Sequence, residues 1–468
     1  MAVKYLRTVA AAAISAALAW SPVAAGAESL SDALVSAYTN SGLLDQQRAL
    51  LRATDEDFAV AVAATRPVLA YSLQGGWRHT KSNLAVVDAT TAAATLTASF
   101  TLYDFERTKL GIDLAQENVL MARDSLVAVE QSALLRAVSA FLAVRSAHES
   151  AMLQANNVRL ITEELRAARD RFEVGEITQT DVSYAEAQLA AAKSGEAAAR
   201  GQLMVAREEY KAAVGHYPNG LQVPPSIPMA ARSLDDAKAL GARNHPDIKA
   251  AQRAVTVAEI ATEIARRSML PTLSADISAG PQYNSASITP HTRNISGTVS
   301  LSGPLYQGGK LSALYRKAKA QADASRAALH LAVQGVEQDV ANAWAQLAVA
   351  GASLQASEQQ IRASTVALRG AREEATLGAR TTLEVLSFEQ DLLDAQAARI
   401  TAQSDQYIAV YGLLASMGLL TADHLHLGLA TYDPEAYFNA VKDAPVRDVS
   451  PQGKKLDELL ATLGRTVD

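Results

Sequence analysis

The chain has no cysteine in 468 residues. That excludes a disulfide framework, a thiolate metal site and a lipid-modified cysteine anchor. Aromatic residues are only 5% of the chain, and the 8 histidines are scattered. His424 and His426 stand close together, but two histidines alone do not make a metal site and neither is assigned a role. Proline, 14 in all, is missing altogether from 105–172 and from 310–377. Beyond the first twenty or so residues, no run of about 18 consecutive apolar residues occurs, so any membrane crossing has to be made by strands. The formal net charge of −6 gives no reason to seek nucleic acid. There is no His-Glu-x-x-His and no Gly-x-Ser-x-Gly. The stretch Gly303-Pro304-Leu305-Tyr306-Gln307-Gly308-Gly309-Lys310 imitates a phosphate loop, but its spacing is off by one. Leu311 also stands where Ser or Thr must reach Mg²⁺. Its glycine pair reads instead as a tight exit from strand to helix. No catalytic residue, metal or cofactor is assigned.

The first residues form a leader. Lys4 and Arg7 precede an apolar stretch from Val9 to Trp20, and Ala25-Gly26-Ala27 is a small-x-small cleavage site. Residues 1–27 are read as a secretory signal peptide, cut before Glu28.

The rest of the chain is written twice, about 203 residues apart. Ser29-Leu30 returns as Ser233-Leu234 and Pro67 as Pro271. After one slip the register holds: Leu102-Tyr103 returns as Leu305-Tyr306, Phe141 as Trp344, Gly175 as Gly378, Thr178 as Thr381, Asp181 as Glu384, Glu186 as Glu389 and Gly215 as Gly418. A period this long is a duplicated domain rather than a solenoid. The expected organisation is repeat 1 over 28–215, a Pro-rich linker over 216–230, repeat 2 over 231–430 and a loosely ordered tail over 431–468. Within the tail, a weak helix is expected near Leu456 to Leu463.

Each repeat holds two alternating segments. From Thr91 to Tyr103, Ala92, Ala94, Leu96, Ala98, Phe100 and Leu102 alternate with Thr91, Ala93, Thr95, Thr97, Ser99 and Thr101. Pro271–Gly280 and Asn294–Leu305 read the same way, and Pro67–His79 more loosely, with Leu69, Tyr71, Leu73 and Trp77 on one side. Ser/Thr-rich faces opposite apolar faces with aromatics near the ends are how water-lined, lipid-facing barrel strands are written. Four strands are too few to close a membrane barrel, and an open edge is not tolerated in lipid. Several copies must therefore share one barrel. Two copies would supply eight strands and three would supply twelve, and the strands alone do not choose.

The remainder is helical. Phe105–Phe172 and Lys310–Leu377 would each span about 100 Å. Seven-residue ladders, such as Val182, Ala185, Leu189, Ala192 and the matching Val385, Phe388, Leu392, Ala395, predict helices packed as coiled coils. Ser31–Arg66 and Thr180–Gly215 are expected as single helices of roughly 50 Å, stacked end to end beside a long one. The helices should turn at Val174-Gly175-Glu176 and Leu377-Gly378-Ala379.

These residues resemble the TolC-like outer-membrane channels of type I secretion and multidrug efflux. The carriers are the duplicated Leu-Tyr before each long helix, with Tyr103 and Tyr306 at the strand–helix junctions, and two tip motifs. The tip motifs run from Arg171 to Val182 and from Gly378 to Leu386. The opening Gln46-Gln47-Arg48-Ala49 with Arg52-Ala53-Thr54-Asp55-Glu56 looks most like the type I secretion branch. The resemblance implies a mainly α protein with β: a homotrimer whose twelve-stranded barrel sits in outer-membrane lipid on a periplasmic α-barrel of coiled-coil helices. It implies that the tip turns Val174, Gly175, Glu176, Leu377 and Gly378 dock a periplasmic adaptor and an inner-membrane transporter. It further implies a gate in which Arg380 bonds Thr180 and Asp181 of a neighbouring coil while Glu384 rings the pore. Ser387 stands where a second ring acid belongs and Ala375 where a tyrosine belongs, so a weaker cation site and a looser gate are expected. The rival reading, a soluble periplasmic coiled-coil scaffold or adaptor, explains the leader and helices but has no use for four Ser/Thr-lined strands.

Overall fold

The computed structural model describes residues 27–83, 86–225 and 231–442. The expected leader through residue 26, the linker's end at 226–230 and the expected helix at Leu456 to Leu463 lie outside the described residues.

One element order runs twice. The first run is α1 (Leu30–Asn40), α2 (Gly42–Ala63), β1 (Val68–Lys81), β2 (Val86–Tyr103), α3 (Arg107–Glu173) and α4 (Gln179–Val214). The second is α5 (Leu234–Asn244), α6 (Pro246–Arg267), β3 (Thr272–Asn284), β4 (His291–Ser302), α7 (Lys310–Thr376) and α8 (Thr382–Ser416). The Ser-Leu that recurs in sequence is a helix cap used twice: Ser29 Oγ accepts from Asp32 N and Ser233 Oγ from Asp236 N, both at 3.2 Å.

Two expectations need correction. The helix expected over Ser31–Arg66 is broken at Ser41, whose extended backbone ends α1 and whose hydroxyl caps α2. The second repeat breaks at His245, whose ring caps α6 ahead of Pro246 at the first helical position. The tail is also better ordered than expected as far as residue 442. A further helix, α9 (Pro434–Val441), packs on α2. Phe438 lies 4.9 Å from Phe58, Glu435 bonds Arg123 at 3.1 Å, and Tyr432 N donates to the Tyr38 hydroxyl.

α3 and α7 are each 67 residues, about 100 Å long. Against α3 pack α1, α2 and the antiparallel α4; against α7 pack α5, α6 and α8. The ladder residues Val182, Ala185, Ala192, Ala206 and Tyr210 are buried, as are Val385, Ala395, Ala402, Ala409 and Leu413. The largest core surrounds Phe141, Tyr210, Leu134, Val340 and Met417, where the short helices of both repeats meet the long ones. There Gly215 closes α4 at φ +101°, and a Cβ on it would sit 2.9 Å from Asn40 Cβ. Gly418 closes α8 in the same way against the His245 backbone. Only glycine supplies both the left-handed turn and the close approach. α3 is the one helix among the described residues long and apolar enough to span a membrane, and half of that apolar window is buried in the helical body.

The four strands form one antiparallel sheet in the order β1-β2-β3-β4. The β2–β3 pairing joins the repeats, and β1 and β4 are its edges.

Candidate functional site

Register decides what each face of the sheet presents, because cross-strand partners share a face. Leu69 pairs with Ala98, Tyr71 with Leu96 and Leu73 with Ala94. Ala98 continues to Ile277 and Leu96 to Ala279. Ala279 then meets Ile295, Ala275 meets Val299, and Leu273 meets Leu301. The apolar face thus runs unbroken across both repeats. Its large side chains are uncovered in the single chain, with Tyr71 81% and Ile295 84% exposed, while Ala275 lies buried between its neighbours. At the hairpin ends it carries aromatics: Trp77 beside His79, and Tyr283 5.0 Å from His291. The opposite face is a hydroxyl lining. Ser274 Oγ and Ser300 Oγ are 2.9 Å apart, Ser278 Oγ and Ser296 Oγ 2.8 Å, and Asn294 Nδ2 donates to Gln282 Oε1. With strands of 14, 18, 13 and 12 residues, the sheet is tall enough to cross a bilayer.

Where strands become long helices, both repeats need two successive left-handed residues. The second repeat uses Gly308 and Gly309, at φ +58° and +84°. The first uses Phe105 and Glu106, at φ +57° and +61°, a costly conformation for non-glycine residues. Neighbours hold that turn. Tyr103 packs on Phe105 at 4.8 Å, and Arg267 Nη1 donates to the Phe105 carbonyl and the Glu106 carboxylate, each at 2.8 Å. Tyr306, the partner of Tyr103 in the repeat, is exposed.

The far ends of the helices carry the expected turns. Gly175, at φ +78°, donates to Phe172 O, and Glu176 N donates to Arg171 O at 2.9 Å. Gly378, at φ +75°, donates to Ala375 O, and Ala379 N donates to Glu374 O at 2.9 Å. Val174 and Leu377 project beside these turns, 71% and 84% exposed. Each return helix then starts with a capping box: Thr178 with Asp181, and Thr381 with Glu384. Hydrogen bonds from the Thr178 hydroxyl and backbone hold the Asp181 carboxyl below its ordinary range. The Thr381 backbone N–H and hydroxyl do the same for Glu384. Both acids are therefore ionised at neutral pH, and both already serve their own helix ends.

Arg380 bonds Glu374 across the second turn, lies 3.7 Å from Glu384 and sits over the Phe388 ring. A bond from Arg380 to Thr180 or Asp181 is not among the contacts of the single chain. Thr180, Glu384 and Ser387 are exposed, with Glu384 and Ser387 one turn apart on the same face of α8.

Sequence reasoning missed Glu374 as the partner of Arg380. It also missed a duplicated bridge just above the turns: Arg169 bonds Glu186 at 2.6 Å, and Arg372 bonds Glu389. Burial pushes the Glu389 carboxyl up, against the lowering effect of Arg372, and Arg372 also lies 3.6 Å from Glu164 of α3. The signal was available, since Arg169 and Arg372 keep the same spacing as Glu186 and Glu389.

Comparisons agree with this geometry. The sequence profile of the outer membrane efflux protein family matches residues 33–216 and 240–419. The outer membrane efflux protein BepC of Brucella suis is 34% identical over 433 residues, covering 92% of this chain and 94% of that protein. The outer membrane protein TolC of Vibrio cholerae is 26% identical, covering 87% of this chain and 94% of that protein. Among solved structures, the Campylobacter jejuni CmeC outer membrane channel has the same fold. Its TM-score is 0.75 at 15% identity, with 88% of this chain and 89% of that chain covered. With two matched repeats, a two-faced sheet and paired helical tips, this chain belongs to the outer membrane efflux protein family.

Proposed function

We propose that three copies of this outer-membrane channel protein close one barrel of twelve strands, four from each, above a helical duct across the periplasm. The carrying observation is the sheet: an unbroken apolar face whose large side chains are exposed, a hydroxyl-lined opposite face and two unpaired edges, β1 and β4. Lipid accepts the first face, water fills the lumen behind the second, and the edges pair between copies because none is left open in a bilayer. An even number of antiparallel strands per copy lets β4 of one copy meet β1 of the next antiparallel. A soluble scaffold would leave the whole apolar face in water.

At the far end, the turns at Val174, Gly175, Glu176 and at Leu377, Gly378 form an exposed rim that docks a periplasmic adaptor, and with it an inner-membrane transporter. The gate lies just inside. Arg380 is already paired with Glu374 and Glu384 and has guanidinium donors left for Thr180 and Asp181 of a neighbouring coil. Three copies of Glu384 make an acidic ring, and Ser387 adds hydroxyls one turn along. The duct moves cargo driven from the inner membrane, for type I export or efflux.

The test is fractionation, crosslinking and gel mobility. The protein is expected in the outer membrane, released by detergent and not by carbonate. It should crosslink to a trimer and migrate differently with and without boiling. Carbonate release as a monomer or dimer would overturn the reading.

A further inference from the structure

Just before α1, Glu28 runs parallel to the linker between the repeats. Its N–H donates to the carbonyl oxygens of Gly220 at 3.0 Å and Asn219 at 3.4 Å, and its own carbonyl accepts from Gln222 N at 2.9 Å. Its side chain points inward. Oε1 accepts from the Tyr210 hydroxyl at 2.6 Å and lies 3.5 Å from His216 Nε2. Tyr210 is fully buried near the end of α4. The other carboxylate oxygen, Oε2, is buried and has no partner. The backbone nitrogen therefore faces two carbonyl acceptors, of Asn219 and Gly220, with the single donor of an amide, while its own side chain holds a buried carboxylate oxygen without a partner. An α-ammonium has three N–H donors and a positive charge. Both suit a place beside a carboxylate and near the C-terminal end of α4, where helix carbonyls favour a cation.

We propose that Glu28 is the mature N-terminus and that its α-ammonium is a structural cation, created by processing, that fastens α1 to the linker between the repeats. The proposal rests on reading residues 1–27 as a leader. A membrane-bound export peptidase hydrolyses the Ala27–Glu28 bond. Water gives its hydroxyl to the Ala27 carbonyl and a proton to the Glu28 nitrogen, which takes a second proton from solvent. The cut removes one contact, from Gln222 Nε2 to Ala27 O at 2.7 Å. In exchange the Glu28 nitrogen gains two N–H donors and a charge.

The test compares detergent-purified exported protein with a variant carrying Asn-Gln inserted between Ala27 and Glu28. The cleavage point is kept, but the Glu28 nitrogen becomes an amide again while its side chain is unchanged. Intact mass is expected to place the normal N-terminus at Glu28. Hydrogen exchange of the α1 amides is expected to be at least tenfold faster in the insertion variant. Glu28→Gln, which keeps the ammonium and loses the anion, should fall between the two. Equal exchange within twofold in normal and inserted chains would overturn the ammonium's role. A mass that places the normal N-terminus elsewhere would overturn the leader boundary itself.

Discussion

At the scale of single residues, two charged groups have separable jobs. Arg380 is partly exposed and pairs within its own tip, so solvent screens its ion pairs and they add little to folding stability. Arg380→Ala should leave the fold intact but shift the closed-to-open balance toward open, because the guanidinium donors to the neighbouring coil are lost. Planar-bilayer recording checks this: higher mean conductance with unchanged heat resistance is expected, and unchanged conductance would count against the gate. Asp55 is different. It is fully buried under the tail segment, and neither carboxylate oxygen has a hydrogen-bond partner. Burial pushes its carboxyl up to about 6, with Arg123 opposing the shift and Glu56 adding to it. The native protein therefore holds this proton more tightly than the unfolded chain does. Stability from this group is present at low pH, is lost as pH rises from about 4 through about 6, and is level above that. Protease resistance of α9, which packs on the same helix, should fall over that interval. Asp55→Asn should remove the step, and a step that persists in the variant would assign it to another group.

At the scale of elements, duplication made most of this fold readable. Cap residues, tip glycines and heptad ladders recur at one spacing, so each weak signal is counted twice. Ser29 with Ser233, and Thr178 with Thr381, are recognisable as helix starts because an acid follows three residues later in each case. What the sequence hid is physically specific. The break at Ser41 depends on one extended residue between two good helix segments, and nothing in the hydrophobic period marks it. α9 is hidden in a tail that reads as loosely ordered, because its anchors, Phe438 and Glu435, contact residues more than 300 positions away. The Arg380–Glu374 bond joins two sides of a turn whose geometry is set by Gly378, not by any periodicity. The junctions give an element-scale prediction. Gly309 is left-handed and begins α7, so Gly309→Ala should cost about 1–2 kcal/mol. In the first repeat the same conformation is held by contacts, so Arg267→Ala should free the turn at Phe105-Glu106. Faster hydrogen exchange confined to the start of α3 is expected, and protection equal to the parent protein would show that the Arg267 clamp is dispensable.

At the scale of the whole molecule, the sheet's two faces make a prediction that a soluble architecture does not share. Thr298 and Val299 are neighbours on β4, and the register sends them to opposite faces: Thr298 pairs with Asp276 and Val299 with Ala275. Both strand positions are well exposed in the single chain, so in a soluble protein a lysine at either site would be tolerated alike. In the closed barrel the sites differ in solvent. Val299→Lys places a cation against lipid, which costs about 2–4 kcal/mol near the bilayer midplane, once for each copy. Three such costs on one ring should prevent insertion, and the variant should be recovered unassembled or degraded. Thr298→Lys puts the same charge in the water-filled lumen beside Asp276, where three copies cost little. This variant should assemble normally and move the channel's ion preference toward anions. Trimer yield on unboiled gels, followed by reversal potentials for the assembled variant, reads both outcomes. Equal assembly of the two variants would show that the apolar face does not meet lipid, and the shared barrel would fall with it.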